Sequence, residues 1–160
     1  MKIREAQQKD LEAIAKVEAV CFPAAEAASK QSIARRLQAF ANHFWLLEDG
    51  DVLVGFVNGM VTDCADLTDE MYEDAGMHDE NGDWQMIFGL DVIPEYRCQG
   101  CAEKMMNHLI DRAREEGRKG VVLTCKDRLV HYYAKFGFVN EGISGSTHGD
   151  AVWYQMRMTL

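Results

Sequence analysis

The stretch Arg97-Cys98-Gln99-Gly100-Cys101-Ala102 joins a strand-like apolar run that ends at Val92 to a long amphipathic helix. Gly100 and Ala102 keep this turn free of bulky side chains, so a ligand can approach the backbone closely. A turn of this kind directs several backbone N–H groups and the positive end of the helix dipole at one point. The sequence therefore predicts that a phosphate group binds between Arg97 and Ala102.

Length and composition predict a single domain over residues 1–160. With 160 residues and 18.1 kDa, the chain can bury roughly two-thirds of its unfolded surface in one core. No apolar run approaches the roughly 18 residues that span a bilayer, and the five cysteines lack the spacing of a disulfide scaffold. We therefore expect a cytoplasmic protein with no membrane segment and no structural disulfide. A homodimer is compatible with the sequence, but no feature requires one.

The charge pattern bears on the partner. A net charge of −9 argues against nucleic acid, whose phosphates would be repelled, and is compatible with small cationic substrates. Between Asp63 and Asp83 the chain has many acidic residues and no Lys or Arg. Such a run is most often a solvated loop, but it can also form an acidic rim that attracts amines to a binding site. Both interpretations stay open here.

Hydrophobic periodicity predicts alternating strands and helices. The first strand covers 3–6, and helices begin after Asp10 and Ser29, both of which are good N-caps. Apolar runs at 43–48 and 52–61 flank a turn-forming segment and should pair antiparallel. Later patterns predict helices over about 102–116 and 129–135 and strands over 121–125 and 151–160. Three tryptophans in or beside strand runs are expected in the core or at an interface: Trp45, Trp84 and Trp153.

Other ligand signatures are weaker. Neither Gly-x-x-x-x-Gly-Lys-Ser/Thr nor Gly-x-Gly-x-x-Gly with a later acid occurs, which argues against nucleotide hydrolysis and hydride transfer. Cys98 and Cys101 form a Cys-x-x-Cys pair, but no second Cys or His pair stands at zinc-finger spacing. The remaining histidines show no metal-ligand spacing either, so we expect no metal: His43, His78, His108 and His131.

From Leu90 to Phe138 the order of elements resembles the core of the GNAT superfamily of N-acetyltransferases. The Arg-x-x-Gly-x-Ala loop is similar to the superfamily's pyrophosphate-binding loop, and Tyr133 to Phe138 is similar to its tyrosine-bearing helix, which ends in Phe-Gly-Phe. The resemblance implies an α/β (α+β) fold, with a mixed, mostly antiparallel central sheet that splays between its fourth and fifth strands and about four flanking helices. Segments 21–29 and 123–127 are most similar to the arylalkylamine (serotonin) N-acetyltransferase branch and its bacterial relatives.

The same resemblance implies acetyl-CoA as cosubstrate and assigns residues to it. The pantetheine arm would lie in the gap between the splayed strands, bonded to backbone groups of Leu90, Asp91 and Val92. Tyr133 would contact the thioester, while Phe22, Pro23 and Glu26 would contact the acceptor. The diphosphate would bind the loop residues Arg97, Cys98, Gln99, Gly100, Cys101, Ala102 and Glu103.

The leaving thiolate must gain a proton, and the attacking amine must lose one. The leaving coenzyme A thiolate resembles a thiol of pKa about 8.5, and a tyrosine of pKa about 10 stays protonated at neutral pH, so Tyr133 can donate a proton as sulfur departs. Tyr132 is its local rival. An alkylamine of pKa about 10.4 must first lose a proton.

In the arylalkylamine enzymes two histidines are thought to help the amine lose that proton. The matching positions here are Met86 and Phe88, so this pair is missing. His148 is the best remaining imidazole, and Glu26 and Asp91 are the other candidates.

Three functions are compatible with the pattern. The first is transfer of an acetyl group from acetyl-CoA directly to a primary amine, most simply that of a small molecule. The second is acetylation of a protein lysine or N-terminus. The third is a non-catalytic module that binds acyl-CoA.

Overall fold

The computed structural model describes the whole chain, from Met1 to Leu160. It contains nine strands and five α-helices, one more than the predicted number of about four, and no helix combines the length and the apolar composition needed to cross a membrane. The elements in chain order are β1 Lys2–Glu5, α1 Leu11–Cys21, α2 Lys30–Phe40, β2 Phe44–Asp49, β3 Val52–Asn58, β4 Val61–Thr62, α3 Asp69–Glu73, β5 Trp84–Ile87, β6 Gly89–Val92, α4 Cys101–Glu115, β7 Gly120–Cys125, α5 Asp127–Ala134, β8 Val139–Ile143 and β9 Tyr154–Thr159.

The strands form two sheets. One has the order β1-β2-β3-β6, and the other has the order β4-β5-β7-β9-β8. Only β5 and β7 pair in parallel, and every other pair is antiparallel. The α/β fold with a mixed, mostly antiparallel sheet is therefore confirmed.

The two sheets separate at Phe88. The strand predicted to end at Val92 is divided there, so that β5 pairs with β7 while β6 pairs with β3. The last paired residues of β5 and β7 are Ile87 and Leu123, and beyond them the strands diverge. Phe88 donates its backbone N–H to Asn58 O at 2.7 Å, which keeps the chain attached to β3 across the break. The predicted splay is thus present: the family's fourth and fifth strands correspond here to β6, which contains Leu90 and Val92, and to β7. A gap opens between β6 and the end of β7.

Helix ends follow the predicted capping in part. Ser29 caps α2, since its Oγ accepts the N–H of Ser32 at 3.1 Å. Asp10 precedes α1 as predicted but does not cap it, because its carboxylate accepts from the Arg4 guanidinium and from Gln7 N instead. The apolar face of α4 packs into the main core, which fixes the start of α4 beneath the gap.

The acidic stretch between Asp63 and Asp83 is more ordered than a solvated loop. It follows β4 directly and contains α3, and three of its acids are paired with basic residues of other segments. These pairs are Asp66 with Arg157, Glu80 with Arg118, and Asp83 with Lys119.

Candidate active site

A cavity of about 590 Å³ begins at the gap between β6 and β7. Its walls come from α1, α2 and the segment between them, from α3, from the β5–β6 break, from the end of β7, from α5 and from the loop after β8. Five of the predicted site residues lie on these walls: Phe22, Glu26, Leu90, Tyr133 and His148.

Pro23, predicted to contact the acceptor, is exposed and does not line the cavity. Its carbonyl oxygen accepts the N–H groups of Glu26 and Ala27, both at 2.9 Å. Pro23 therefore shapes the turn that carries Glu26.

The edge of β6 that faces the gap offers backbone groups to a ligand. Ile93 donates its N–H to Val54 O at 2.9 Å, on the β3 side. Because alternate residues of a strand direct their backbone groups to the same side, Asp91 also faces β3, while Leu90 and Val92 face the gap. Two of the three residues predicted to bind the pantetheine arm thus have the required orientation, whereas the backbone of Asp91 does not. Arg97 Nε donates to Val92 O at 2.9 Å and occupies that carbonyl in part.

The loop before α4 is an anion-binding concavity. Gly100 has φ +81° and Cys98 has φ +61°, so the backbone turns through left-handed conformations just before the helix starts. The backbone N–H groups of residues 98–103 donate to no atom of the protein. Arg97, Cys98, Gln99 and Glu103 are exposed, whereas the Cys101 side chain is buried in the core and offers only its backbone. A diphosphate would satisfy these free donors at the positive end of the α4 dipole.

Tyr133 on α5 has a hydroxyl group without a protein partner. Burial, and secondly the nearby Cys125 thiol, raise the pKa of Tyr133 well above its ordinary value. The ring is held edge-on against Tyr132, with ring centroids 5.1 Å apart. Tyr133 lines the cavity and Tyr132 does not, so Tyr133 is the better-placed proton donor of the two.

His148 holds the loop after β8 against the segment between α1 and α2. Its Nε2 lies 2.9 Å from Glu26 O, and since a carbonyl can only accept, Nε2 carries the proton and Nδ1 has the lone pair of the neutral ring. The imidazole stacks on Tyr72, with centroids 5.3 Å apart and ring planes at 9°. The Trp153 indole donates to His148 O at 2.8 Å.

Further contacts close this side of the cavity. Gly149 packs so tightly on Glu26 that a Cβ added to it would lie 2.7 Å from Glu26 Cγ. Thr147 N donates to the Asp69 carboxylate of α3 at 3.0 Å. The Glu26 carboxylate is paired with Lys126 Nζ at 2.7 Å, so it is already neutralised.

A buried polar cluster that the sequence reasoning missed lies at the back of the cavity. Glu18 and Arg36 are 7% and 5% exposed, and both reach the cavity wall. Glu18 Oε2 accepts the N–H of Ala28 at 2.8 Å, and Arg36 Nη1 donates to Asn58 Oδ1 at 3.2 Å. Burial lowers the pKa of Arg36, although Glu18 opposes this.

The side chain of Asp91 completes the cluster. It is 1% exposed, and neither of its carboxyl oxygens has a hydrogen-bonding partner. Burial and the proximity of Glu18 raise the pKa of Asp91 well above its usual range. The sequence carried one signal for the cluster, namely charged residues within otherwise apolar faces of α1, α2 and β6.

Tyr72, Thr124 and Trp153 are further cavity residues that the sequence reasoning missed. Tyr72 belongs to α3, within the acidic stretch for which a solvated loop was one of the two expectations. Its hydroxyl lies 3.4 Å from Thr124 Oγ1. Trp153 was expected in the core or at an interface, yet it lines the cavity beside His148.

Outside the cavity, His43, His78 and Glu80 come together although their sequence spacing suggests no metal site. Their ligand atoms lie within 4.8 Å of one another. Val61 N donates to His78 Nδ1 at 3.0 Å, so the proton of the neutral ring is on Nε2, which donates to Glu80. Arg118 adds a positive charge 3.3 Å from the Glu80 carboxylate. A metal bound at His78 Nε2 would have to displace that proton beside a guanidinium, so the geometry favours a hydrogen-bonded cluster.

Comparisons with known proteins agree with this description. Among solved structures, the loading GNATL domain of CurA from Lyngbya majuscula has a TM-score of 0.88 and 16% identity, covering 99% of this chain and 96% of that chain. The GNAT-like decarboxylase GphF, in complex with isobutyryl-CoA, has a TM-score of 0.86 and 23% identity, covering 99% of both chains. The protein yncA from Salmonella typhimurium, with acetyl-CoA, has a TM-score of 0.71 and 18% identity, covering 100% of this chain and 94% of that chain.

A search of curated protein sequences finds no significant match. A sequence profile described as the acetyltransferase (GNAT) family matches residues 11–138, most of the chain. This match confirms the predicted superfamily and the prediction of an acetyltransferase, and the acyl-CoA ligands of two of the similar structures agree with the predicted cosubstrate. The chain belongs to the acetyltransferase (GNAT) family.

Proposed function

We propose that this protein transfers the acetyl group of acetyl-CoA directly to the primary amine of a small molecule. The observation that carries the choice of a small acceptor is the bridge across the acceptor side of the cavity. His148 Nε2 bonds to Glu26 O there, and Gly149 packs on the same residue. A peptide acceptor would need an open groove between these two segments, whereas a small amine needs only the cavity.

The donor end follows from free backbone groups. The N–H groups of residues 98–103 can bind the diphosphate, and the exposed edge of β6 at Leu90 and Val92 can bond the amides of the pantetheine arm. This arrangement directs the thioester into the gap between β6 and Cys125, beside Tyr133.

Tyr133 acts on the leaving group. Since its pKa is raised, its hydroxyl is a hydrogen-bond donor at every physiological pH, and it stabilises the thiolate as the C–S bond breaks. No enzyme nucleophile is required, and burial raises the pKa of the Cys125 thiol to about 11, so this cysteine is poorly suited to be one.

The acceptor is best described as an amine with an apolar or aromatic body. The aromatic side chains of Phe22, Tyr72, Phe88 and Trp153 line the cavity, and Glu18 supplies a buried carboxylate that suits an ammonium group. This combination of aromatic side chains and a buried carboxylate supports the serotonin N-acetyltransferase-like branch that the sequence resembles.

An acceptor screen tests the proposal. Purified protein is incubated with acetyl-CoA and with phenethylamine, putrescine or a peptide that carries both a lysine and a free N-terminus, while thiol release is followed. We expect turnover with a small amine and no competition from the peptide. Faster turnover of the peptide would indicate that the acceptor is a protein and not a small molecule. Coenzyme A binding without any turnover would support a non-catalytic module. Gly100→Gln, which blocks the diphosphate loop, is the control that ties the rate to this site.

A second candidate is decarboxylation of a carboxylated acyl-CoA. GphF, named a decarboxylase, has one of the higher TM-scores, and Arg36 presents a buried cation with a partnerless Nε at the cavity wall. A guanidinium at that position can hold a carboxylate whose C–C bond then breaks to release carbon dioxide, with a proton replacing it on carbon. The carboxyl groups of Glu18 and Asp91 beside Arg36 weaken its attraction for an anion, so this candidate ranks second. Incubation with malonyl-CoA and chromatography of the products, with acetyl-CoA as the expected product of this reaction, distinguish the two.

A further inference from the structure

The Glu18–Asp91 pair is an unusual feature of the cavity wall. Two carboxyl groups lie together in a site that excludes nearly all solvent, and the only cation in the cluster is Arg36. Two adjacent buried carboxylates cannot both stay ionised, so the pair holds a proton that it can share. One guanidinium then balances one carboxylate, and the cluster is neutral overall.

Gly89 lies between these side chains. A methyl group built on Gly89 would lie 3.1 Å from Asp91 Oδ1, 3.6 Å from Asn58 Nδ2 and 3.9 Å from Glu18 Oε1, so carboxyl oxygens of both residues approach this point of the backbone closely. Gly89 and Glu18 both line the cavity. An ammonium group in the cavity beside Gly89 therefore comes close to the Glu18 carboxyl group.

We infer that Glu18, paired with Asp91, is the catalytic base that binds the acceptor's ammonium group at the cavity wall beside Gly89 and takes its proton. This inference rests on the proposed function. The family histidines are replaced at positions 86 and 88, and Glu26 is occupied by Lys126, so Glu18 is the buried carboxylate with a free oxygen on the cavity wall.

Acetyl transfer moves two protons and one acyl group. Glu18 takes one proton from the ammonium group, and the freed nitrogen lone pair forms the C–N bond with the thioester carbonyl carbon. The C–S bond breaks with its electron pair on sulfur, and the second N–H proton reaches the thiolate by way of Tyr133, giving coenzyme A thiol and the amide. Glu18 then returns its proton to solvent through the cavity.

The charges around the pair set its pH dependence. Asp91 faces Glu18 from β6, Arg36 from α2, Tyr72 from α3 and Cys21 from α1. Burial raises the pKa values of Asp91, Tyr72 and Cys21, so each of these groups favours its uncharged form. A carboxyl group must be ionised to act as a base, so activity should decline on the acidic side.

Glu18→Gln tests the inference because Gln keeps an acceptor for Ala28 N while removing the base. We expect kcat at pH 7 to fall about 10²-fold, with coenzyme A affinity unchanged. The loss should shrink about tenfold for each pH unit and be gone by about pH 9, still below the amine pKa of about 10.4, because solvent then supplies more of the free amine. Glu12→Gln is the matched control, since Glu12 lies on the same helix with its side chain 71% exposed, and its profile should equal that of the wild type.

Two results would overturn the inference. One is a Glu18→Gln variant with the wild-type pH profile. The other is loss of the acidic limb in His148→Gln but not in Glu18→Gln, which would make the imidazole the base. If Glu18→Gln does not fold, as judged by circular dichroism, Asp91→Asn is measured in the same way, and an unchanged profile for it also counts against the pair.

Calorimetry with phenethylamine and coenzyme A, which cannot react, separates this inference from the proposed function. We expect Glu18→Gln to weaken amine binding at least tenfold and Glu12→Gln to leave it unchanged. If the wild type binds the amine through Glu18 but transfers no acetyl group, the proposed function fails and the recognition site stands. If the wild type acetylates the amine and Glu18→Gln has the same rate, pH profile and amine affinity, the inference about Glu18 is refuted and the proposed function stands.

Discussion

Replacing Glu80 by Gln should make the protein less stable in a way that depends on pH. Glu80 accepts hydrogen bonds from His43 Nε2 at 2.8 Å, His78 Nε2 at 3.0 Å and Asn42 Nδ2 at 3.1 Å. Partial burial opposes the charged form, but these hydrogen bonds outweigh it and lower the pKa of Glu80 from 4.5 to about 2.

The size of the effect follows from that shift. A change from 4.5 to about 2 corresponds to roughly 3.4 kcal/mol at about 1.36 kcal/mol per unit. The Glu80 side chain is 49% exposed, so solvent screening reduces this to about 1–2 kcal/mol. Because the folded-state pKa is lowered, the stabilisation is complete above the unfolded-state pKa and is lost as the pH falls towards 2.

Urea unfolding of the wild type and Glu80→Gln between pH 7 and pH 2 measures this pH-dependent contribution to the free energy of unfolding. The difference in free energy of unfolding should shrink by about 1–2 kcal/mol over that range, mostly below pH 5. Glu70→Gln is the control, because Glu70 is an exposed acid of the same stretch without a partner, and it should show little difference at any pH. A Glu80→Gln difference that stays constant with pH would refute the role given to the charged hydrogen bonds.

Four further predictions address the loop, the proton donor, a helix cap and the histidine cluster. Gly100→Gln should raise the dissociation constant of coenzyme A at least about 100-fold by calorimetry, since residue 100 has φ +81° and a side chain would block the diphosphate; unchanged affinity would refute the loop assignment. Tyr133→Phe should lower kcat by about 10²-fold while leaving coenzyme A affinity as it is; an unchanged rate would remove the proton-donor role. Ser29→Ala should lower the free energy of unfolding by about 1 kcal/mol, because the cap to Ser32 N is lost. Zinc should not raise the melting temperature, because the bond from Val61 N to His78 Nδ1 keeps the ring proton on Nε2, the atom that a metal would need; a clear rise would make the cluster a metal site.

Local features of the fold were predictable because they depend on few neighbouring residues. The loop before α4 follows from Gly100 and the helix that it starts, and the start of α2 follows from Ser29 as its cap. The break at Phe88 was predictable only by resemblance, since nothing in the residues around it forbids a continuous strand. Helix α3 was missed because five residues show no useful periodicity.

Contacts between distant segments were not predictable in the same way. The bridge between Glu26 and His148 joins residues far apart in the chain, and its bond is to a backbone oxygen, which carries no sequence signal. The sequence did show that Glu18, Arg36 and Asp91 each interrupt an apolar face. An isolated buried charge costs several kcal/mol, so these three had to find partners, but the pattern does not say which.

Residues 86 and 88, which match the positions of two histidines in the arylalkylamine enzymes, carry no base in this chain. Met86 is completely buried in a small apolar cluster with Phe40, where an imidazole would lose its access to the cavity. Phe88 lines the cavity, and the Arg36 guanidinium lies 4.9 Å from its ring centroid, so this position now supports a cation. A protonated histidine at position 88 would repel Arg36, and Arg36 in turn is what balances the charge of the Glu18–Asp91 pair. The aromatic ring at position 88 therefore stabilises the cation on which the carboxyl pair depends.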